Sequence, residues 1–437
     1  METRYIELFL LTVSLPNLEV IKLTELENLE RLEHGSLSVG SLSKLKEFSV
    51  SGCGKLLCVF ASQLLPMLRD LETLAVESCN LLEVVFELEG ADSSEPNPKI
   101  LSPLKSVALW FLPKLNYISK RDPMGFKYIQ TLNIFCCNSL RYVFAPTMTK
   151  SIPQLRNLRI GRCEMLSRIV AEENGLGESS VDEVEFPQLK SLVLTGVPNL
   201  VSFFPNVNTT SAKSSDYYHN PVQPQPLFNE KVGIPSLEYL RLSGLENVRN
   251  VFNPSMAGGL VNLQNLSIDD CSTLEVVVGK EEEVGHGRKI DKTLFPQLIK
   301  LQLGSLLKLK RFCHFTQPLE IPLLRAMGIA DCPSMDAFSL GHVSVPNLSL
   351  PGISWNGDLN NAIQSLQKRK VVIEVAMETP KSRFKVFESV CLVPGVESIA
   401  WRQDLEVIGH EIDAVALTIA VRKNVGPCRL VFEGPVQ

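Results

Sequence analysis

Histidine and cysteine are the residues of this chain whose chemistry suits metal binding and catalysis. The six histidines are scattered without metal-ligand spacing. They are His34, His219, His286, His314, His342 and His410. The chain contains no G-x-S-x-G nucleophile motif and no H-E-x-x-H zinc motif. We therefore expect no enzymatic activity and no cofactor.

Cysteine has a regular place in the chain. Six of the eleven cysteines recur at one position of a repeated segment: Cys53, Cys79, Cys137, Cys163, Cys271 and Cys332. Other copies carry an aliphatic residue at that position: Leu26, Leu112, Val197, Leu245 and Leu306. A position that accepts either a thiol or an aliphatic side chain indicates a small buried slot. Cys58, Cys136 and Cys313 lie outside this pattern, and we expect all three to be reduced.

The repeated segment has apolar residues at its first, fourth, seventh and ninth positions. Eleven copies begin at Leu15, Leu42, Leu68, Leu101, Phe126, Ile152, Phe186, Ile234, Leu260, Phe295 and Ile321. Their basal spacing of about 26 residues falls in the range of leucine-rich repeats. Four insertions lengthen it, at residues 88–98, 171–185, 205–231 and around 281–283. We interpret them as solvated loops, with an acidic binding site as the alternative for the acidic ones.

The alternation within each segment predicts a half-buried strand. Leu240 and Leu242 would face the core, and Tyr239 and Arg241 would face outward. Stacked copies would share one core, which predicts a horseshoe-shaped solenoid with parallel strands along its concave wall.

Outward positions with aromatic or charged side chains are binding candidates, since aromatic residues and arginine are favoured in interfaces. They are Trp110, Phe135, Arg159, Tyr239, Arg241, Asp269 and Lys300. Trp110 and Phe135 lie in neighbouring repeats and would form one patch. The alternative is that this wall packs against another part of a larger receptor.

Charge and hydropathy exclude two classes of partner. The net charge of -5 gives no basic surface for nucleic acid. No stretch approaches the roughly 20 apolar residues that cross a membrane. The apolar run at residues 6–15 is interrupted by Glu7 and lacks a small-residue cleavage site, so we expect a cytoplasmic chain.

From Arg369 onward the repeat gives way to another pattern. Strand, helix, strand, strand, helix and strand follow one another, with Pro380 opening the first helix and Asp413 capping the second. The residues that mark the strands are Val371, Ile373, Val375, Ile399, Trp401, Leu405, Val407, Leu430 and Phe432. This order predicts a small ferredoxin-like α+β domain. We therefore divide the chain into a repeat domain (1–345), a linker (346–368) and the small domain (369–437).

The repeats resemble those of plant nucleotide-binding leucine-rich-repeat disease-resistance proteins. The resemblance rests on the pattern L-x-x-L-x-x-L-x-L-x-x-C-x-x-L-x-x-V-F at 68–86 and 152–170, and on the form like G-L-x-N-L at 196–200 and 244–248. It implies a defence protein that binds a pathogen effector or a guarded host protein. No GxxxxGK[ST] phosphate loop occurs. We therefore expect a fragment or a partner subunit, with a nucleotide-binding receptor as a further partner.

The small domain resembles the plant heavy-metal-associated family in KVVIEVAM, PGVESIA and the stretch from Leu405. In that family the loop after the first strand reads M-x-C-x-x-C and binds a soft metal. Met377, Thr379 and Ser382 stand there in this chain, and hydroxyls do not replace thiolates as ligands, so we expect no metal.

The heavy-metal-associated resemblance implies instead a decoy that binds pathogen effectors. Glu397, Arg402, Glu406 and His410 are the candidates near its docking surface, or else ordinary solvated residues. Two other functions stay open: a metal-handling protein, and a generic repeat adaptor.

Overall fold

The computed structural model describes residues 6–9, 15–33, 42–61, 64–87, 103–119, 126–145, 148, 152–171, 183–204, 225–280, 293–314, 316, 319–341, 343–345, 347–348, 350–353, 369–375, 380–409 and 412–435. Twelve short strands lie side by side in one parallel sheet, the main sheet. They are β2 (Val20–Thr24), β4 (Glu47–Ser51), β6 (Thr73–Glu77), β8 (Ser106–Trp110), β10 (Thr131–Phe135), β11 (Asn157–Gly161), β13 (Ser191–Thr195), β15 (Tyr239–Ser243), β17 (Asn265–Asp269), β19 (Lys300–Gly304), β22 (Ala326–Ala330) and β24 (Leu350–Ile353).

Neighbouring strands of the main sheet pair residue for residue, so each strand position forms a straight row across the sheet. The second and fourth residues are buried, as Leu240 and Leu242 show. They belong to one continuous core that runs from Ile21 to Leu348. This mostly parallel sheet fits the predicted leucine-rich-repeat solenoid.

The twelfth strand corrects the predicted count of eleven repeats. β24 pairs in parallel with β22, and its segment begins at Val345, which is buried together with Leu348. The copy escaped detection because Pro351 stands where the other copies have an apolar seventh residue. The main sheet thus extends into residues 346–368, the stretch assigned to a linker.

Five small sheets of two or three strands each are formed by a second set of short parallel strands. They are β1 (Ile6–Phe9), β3 (Leu29–Glu33), β5 (Cys58–Ala61), β7 (Val84–Glu87), β9 (Tyr117–Ser119), β12 (Val184–Glu185), β14 (Val232–Gly233), β16 (Asn250–Phe252), β18 (Val276–Val278), β20 (Arg311–Cys313), β21 (Leu319–Glu320) and β23 (Val343–Ser344). One short helix, α1 (Pro254–Gly259), and 3₁₀ turns at Leu65–Met67 and Phe126–Tyr128 interrupt the pattern. Cys58 and Cys313, unexplained by the repeat, belong to this second set.

Buried phenylalanines stack from repeat to repeat within the core. One stack joins Phe48 to Phe126, and a longer one joins Phe144 to Phe338. Neighbouring ring centroids are 4.6 to 6.2 Å apart in the longer stack. These distances suit attractive ring pairs, so the stacks hold successive repeats together.

The cysteine slot is buried, as predicted. The Cys79 thiol donates a hydrogen bond to the backbone oxygen of Glu77 at 3.4 Å, and Cys271 makes the equivalent bond to Asp269 at 3.4 Å. The thiol thus fills the slot and also gives a carbonyl at the end of the strand a second hydrogen bond, beside the one from the backbone amide of the preceding repeat.

The C-terminal unit has its own sheet and its own core. Its elements are β25 (Arg369–Val375), α2 (Pro380–Cys391), β26 (Val396–Trp401), β27 (Leu405–Gly409), α3 (Ala414–Asn424) and β28 (Cys428–Pro435). The antiparallel strands are ordered β26, β27, β25, β28. Strand residues such as Val371 and Val407 pack with Val390 of α2 and Leu417 of α3. Asp413 caps α3, as predicted, by accepting hydrogen bonds from the amides of Val415 and Ala416.

Two details of this unit differ from the sequence analysis. The three- and four-residue spacing of Phe384, Phe387 and Cys391 predicts a helix here, but the residues that α2 buries are Val386 and Val390, and Cys391 is exposed. Leu430 and Phe432 do not share a face of the sheet. The pairing with β25 is irregular between them, since Ile373 faces Leu430 and Val372 faces Phe432.

Candidate protein-binding surfaces

The open face of the main sheet is the face formed by the first, third and fifth residues of each strand. These side chains point away from the core because the second and fourth residues are buried in it. All seven outward candidates are at these positions: Trp110, Phe135, Arg159, Tyr239, Arg241, Asp269 and Lys300. Their placement is as predicted, and their part in binding stays a prediction.

Trp110 and Phe135 lie side by side on the open face. Each is the fifth residue of its strand, and the two are register partners across β8 and β10. Neighbouring strands are about 4.8 Å apart, so the two side chains adjoin. Trp110 is 38% exposed and Phe135 is partly buried. The two aromatic residues form the single patch that the sequence predicted.

The position of the Phe135 ring depends on Gly161, its register partner on β11. A Cβ added to Gly161 would be 2.5 Å from Cε1 of the Phe135 ring and 3.0 Å from Oγ1 of Thr195. The ring therefore occupies space that a side chain on β11 would otherwise fill.

Arg159 and Arg162 stand beside the aromatic pair. Arg159 is the third residue of β11, with Asn133 and Val193 as its register partners. Arg162 follows the end of β11, and its Cγ is 3.6 Å from the position of a Cβ on Gly196. Both are exposed, and neither forms an ion pair within the described part of the chain. We name Trp110, Phe135, Arg159 and Arg162 the basic–aromatic patch.

A second group of candidates lies on β15, β17 and β19. Tyr239 and Lys300 occupy the same row, with Asn265 between them. Nη2 of Arg241 is 3.3 Å from Oδ2 of Asp269, which partly neutralises both. The candidates in this group therefore lie together, and two of its charges, those of Arg241 and Asp269, are already paired with each other.

Sequence reasoning missed the row that directly follows the strands. Eleven residues of this row have φ between 52° and 69°, a left-handed conformation that is uncommon outside glycine. The Phe111 amide, for example, donates to the Phe135 carbonyl at 2.9 Å, which continues the ladder of the sheet. Phe111 is 51% exposed, and Cys136 and Arg162 belong to the same row. Among these residues only Gly52, Gly196 and Gly244 are glycines, so the eleventh position of the segment marks the conformation better than residue type does.

The C-terminal sheet has one face without helices. Val372 points away from the helix-packed core, because Val371 and Ile373 point into it, and its register partners are Glu406 and Phe432. Phe432 is 42% exposed. Nζ of Lys370 is 2.9 Å from Oε1 of Glu406. This face therefore combines apolar surface with a paired charge.

The predicted docking residues of the C-terminal unit do not all share this face. Glu406 lies on it, Glu397 is exposed on β26, and Arg402 is exposed in the turn between β26 and β27. His410 lies outside the described residues.

The degenerate metal loop is only partly visible. Met377 and Thr379 lie outside the described residues, and Ser382 belongs to α2, where its side chain is not described. Cys391 ends α2 and Cys428 begins β28. In the described part of the chain, no three histidine, cysteine, aspartate or glutamate side chains are grouped as a metal site requires. No helix among the described residues is long and apolar enough to span a bilayer.

Burial sets the chemistry of the slot cysteines. It raises the pKa of the Cys79 thiol to about 11 and that of Cys271 to about 12. The pKa of Cys137 is raised by its hydrogen bond to Cys163 and by burial. Since thiolate is the nucleophilic form, these protonated thiols are structural at neutral pH. On the other side of the sheet, burial and the nearby Arg311 lower the pKa of His314.

Comparison with known proteins points to plant defence. The family model described as plant disease resistance protein RPS2-like, leucine-rich repeats, matches residues 17–164 and 208–340, well over half of the chain. A probable disease resistance protein of Arabidopsis thaliana is 31% identical over 140 residues. That match covers 31% of this chain and 15% of the relative. The chain thus spans a small part of that protein.

Proposed function

The chain belongs to the family of RPS2-like leucine-rich repeats of plant disease resistance proteins, and on that premise we propose that it is a recognition module. Its ligand is a pathogen effector or a guarded host protein. The observation that carries this proposal is that Trp110 and Phe135 are register partners on neighbouring strands of the open face. Adjacent, partly exposed aromatic residues on a rigid sheet supply the large apolar contacts that dominate protein interfaces.

The C-terminal unit serves, in this proposal, as a second protein-binding surface. Its β-α-β-β-α-β order supports a ferredoxin-like domain of the heavy-metal-associated type, with Thr379 and Ser382 in place of the metal thiolates. The helix-free face with Val372 and Phe432 supports docking of an effector against the sheet. Glu406 and its partner Lys370 stand at that face.

We further propose that the protein is cytoplasmic and has no catalytic activity. A nucleotide-binding receptor is its signalling partner, because the chain lacks a phosphate loop of its own.

A binding titration tests the function. The full chain is titrated with a panel of secreted pathogen effectors, and Cu(I) serves as a parallel ligand. We expect micromolar or tighter binding of at least one effector without metal, and about tenfold weaker binding after Trp110→Ala and Phe135→Ala together. Leu307→Ala is the matched control, because Leu307 is an exposed apolar residue outside the open face. It should bind like the unaltered chain.

Each other outcome has a meaning. Stoichiometric Cu(I) binding without any effector would favour the metal-handling alternative and overturn the reading of residues 377–382. If neither aromatic substitution changes the affinity for the effector but Phe432→Ala lowers it, the binding surface is on the C-terminal unit. If the chain binds no effector, the generic repeat adaptor is the remaining alternative function.

A further inference from the structure

Several charges that flank the main sheet are compensated by the neighbouring repeat. In some repeats the residue just before the strand is an acid or a base, and it pairs with the residue at the same position of the next repeat. The ion pairs are Lys46–Glu19 at 3.0 Å, Lys105–Glu72 at 3.0 Å and Lys190–Glu238 at 2.7 Å. Arg241 and Asp269 do the same on the open face. The fold therefore provides a counter-charge for several exposed basic residues at this face, such as Lys46, Lys105 and Arg241.

Arg159 and Arg162 lack such a counter-charge in the described part of the chain. The strands β8, β10, β11 and β13 contain no acidic residue, and the register partners of Arg159 are an amide and a valine. Arg159 lies on β11 and Arg162 directly follows its end, three residues later. A guanidinium binds a carboxylate through two parallel hydrogen bonds, which favours an acidic ligand here.

The charge around the patch changes sign from one end to the other. Across the fifth row the order is Glu77, Trp110, Phe135 and Gly161. Negative charge therefore lies at one end, aromatic surface in the middle and Arg159 with Arg162 at the other end. The distance from β6 to β11 is three strand spacings, roughly 14 Å, or about four residues of extended chain.

From this arrangement we infer that the basic–aromatic patch receives an extended acidic segment of a protein partner. An apolar side chain of the segment packs on Trp110 and Phe135, and its carboxylates pair with Arg159 and Arg162. A basic residue at its other end faces Glu77. The inference rests on the proposed recognition function and names the chemistry of the ligand at the same site.

A protein segment suits the patch better than a nucleic acid. The chain has a net charge of -5, and Glu77 borders the aromatic pair, so a continuous row of phosphates would meet repulsion at one end. Mixed charge around an apolar centre is instead typical of protein interfaces.

The test uses the full chain and two synthetic fluorescein-labelled peptides. One has the core Lys-Leu-Phe-Glu-Glu and the other the charge-reversed core Glu-Leu-Phe-Lys-Lys, and binding is followed by fluorescence anisotropy at low and high salt. We expect the acidic peptide to bind more tightly and to weaken with salt. Arg159→Glu with Arg162→Glu should reduce its affinity about tenfold or more. Lys114→Glu with Lys308→Glu, an equal charge reversal at two exposed residues outside the open face, is the control and should leave affinity unchanged.

Several results would overturn the inference. They are equal binding of both peptides, no acidic-peptide binding up to about 1 mM, unchanged binding by the double arginine variant, and tighter binding of a single-stranded oligonucleotide. Circular dichroism of each variant shows whether it is folded, and Arg159→Gln with Arg162→Gln provides a milder pair. If an effector binds with the same affinity before and after the arginine substitutions, this inference is refuted but the recognition function is still supported. Binding of the acidic peptide, with no effector bound, would support the inferred ligand chemistry and refute the proposed recognition of effectors.

Discussion

The ring of Phe135 lies over Gly161 of the next strand, where an added Cβ would be 2.5 Å from the ring. Gly161 therefore makes room for the aromatic side chain that adjoins Trp110. This glycine does not serve a left-handed turn, since its φ is not in the positive range, so its missing side chain is what matters.

Gly161→Ala should displace the Phe135 ring and lower the free energy of unfolding by about 1 kcal/mol, because the added methyl group overpacks the row. Urea unfolding measures the change. Gly304→Ala is the matched control at the same strand position, since its Cβ would meet only Asp269 at an ordinary 3.8 Å. The loss should shrink when Phe135→Ala is combined with Gly161→Ala, and simple additivity of the two substitutions would contradict the contact.

Phe252 is a central member of the longer phenylalanine stack. Its centroid is 5.5 Å from that of Phe228 and 5.8 Å from that of Phe295, and it is fully buried. Phe252→Ala should cost about 3 to 5 kcal/mol of unfolding free energy, because it leaves a cavity between repeats. Phe252→Leu should cost less, about 1.5 kcal/mol. Equal urea midpoints for the two variants would contradict the cavity as the cause of the loss.

Asp413 should control the stability of the C-terminal unit alone. Its Oδ1 accepts the amides of Val415 and Ala416 at 2.9 Å each, so Asp413→Ala leaves both donors at the start of α3 without this acceptor. We expect a loss of about 1 kcal/mol, seen as faster amide hydrogen exchange in residues 414–424. Asp413→Asn keeps the acceptor and should exchange nearly as slowly as the unaltered chain. Faster exchange across the repeats would be inconsistent with a local cap.

Buried thiols should make the repeats less stable at alkaline pH. The folded pKa of Cys79 is about 11, above the ordinary value of about 8.5. The unfolded chain therefore loses this proton first as the pH rises, and stability that is complete below about pH 8.5 declines toward pH 11.

The alkaline loss attributable to Cys79 is about 1.4 kcal/mol at pH 9.5 relative to pH 7. Cys79→Val should show a smaller decline in the urea midpoint over that range, since Val197 fills the same slot in another repeat. Cys391→Val is the control, because Cys391 is exposed and should not alter the decline. Equal slopes for all three proteins would rule out the buried thiol as the cause.

The repeat architecture was predictable because each strand obeys a local rule. Apolar residues at the seventh and ninth positions of a segment place residues such as Leu240 and Leu242 in the core, and the intervening residues then face outward. The rule failed where one residue broke the pattern, as Pro351 did in β24. It also failed where pairing became irregular, as between Leu430 and Phe432, because a single extra residue reverses which face a side chain takes.

The sequence by itself determined the repeat, the family resemblance and the row to which each outward side chain belongs, since these depend on spacing along the chain. Only the tertiary structure decided which charges are paired. Arg241 meets Asp269 while Arg159 meets Asn133 and Val193, because strand pairing brings together residues that are 26 to 34 positions apart. The contact of Phe135 with Gly161 likewise depends on the register between two strands, and register is a property of the folded sheet.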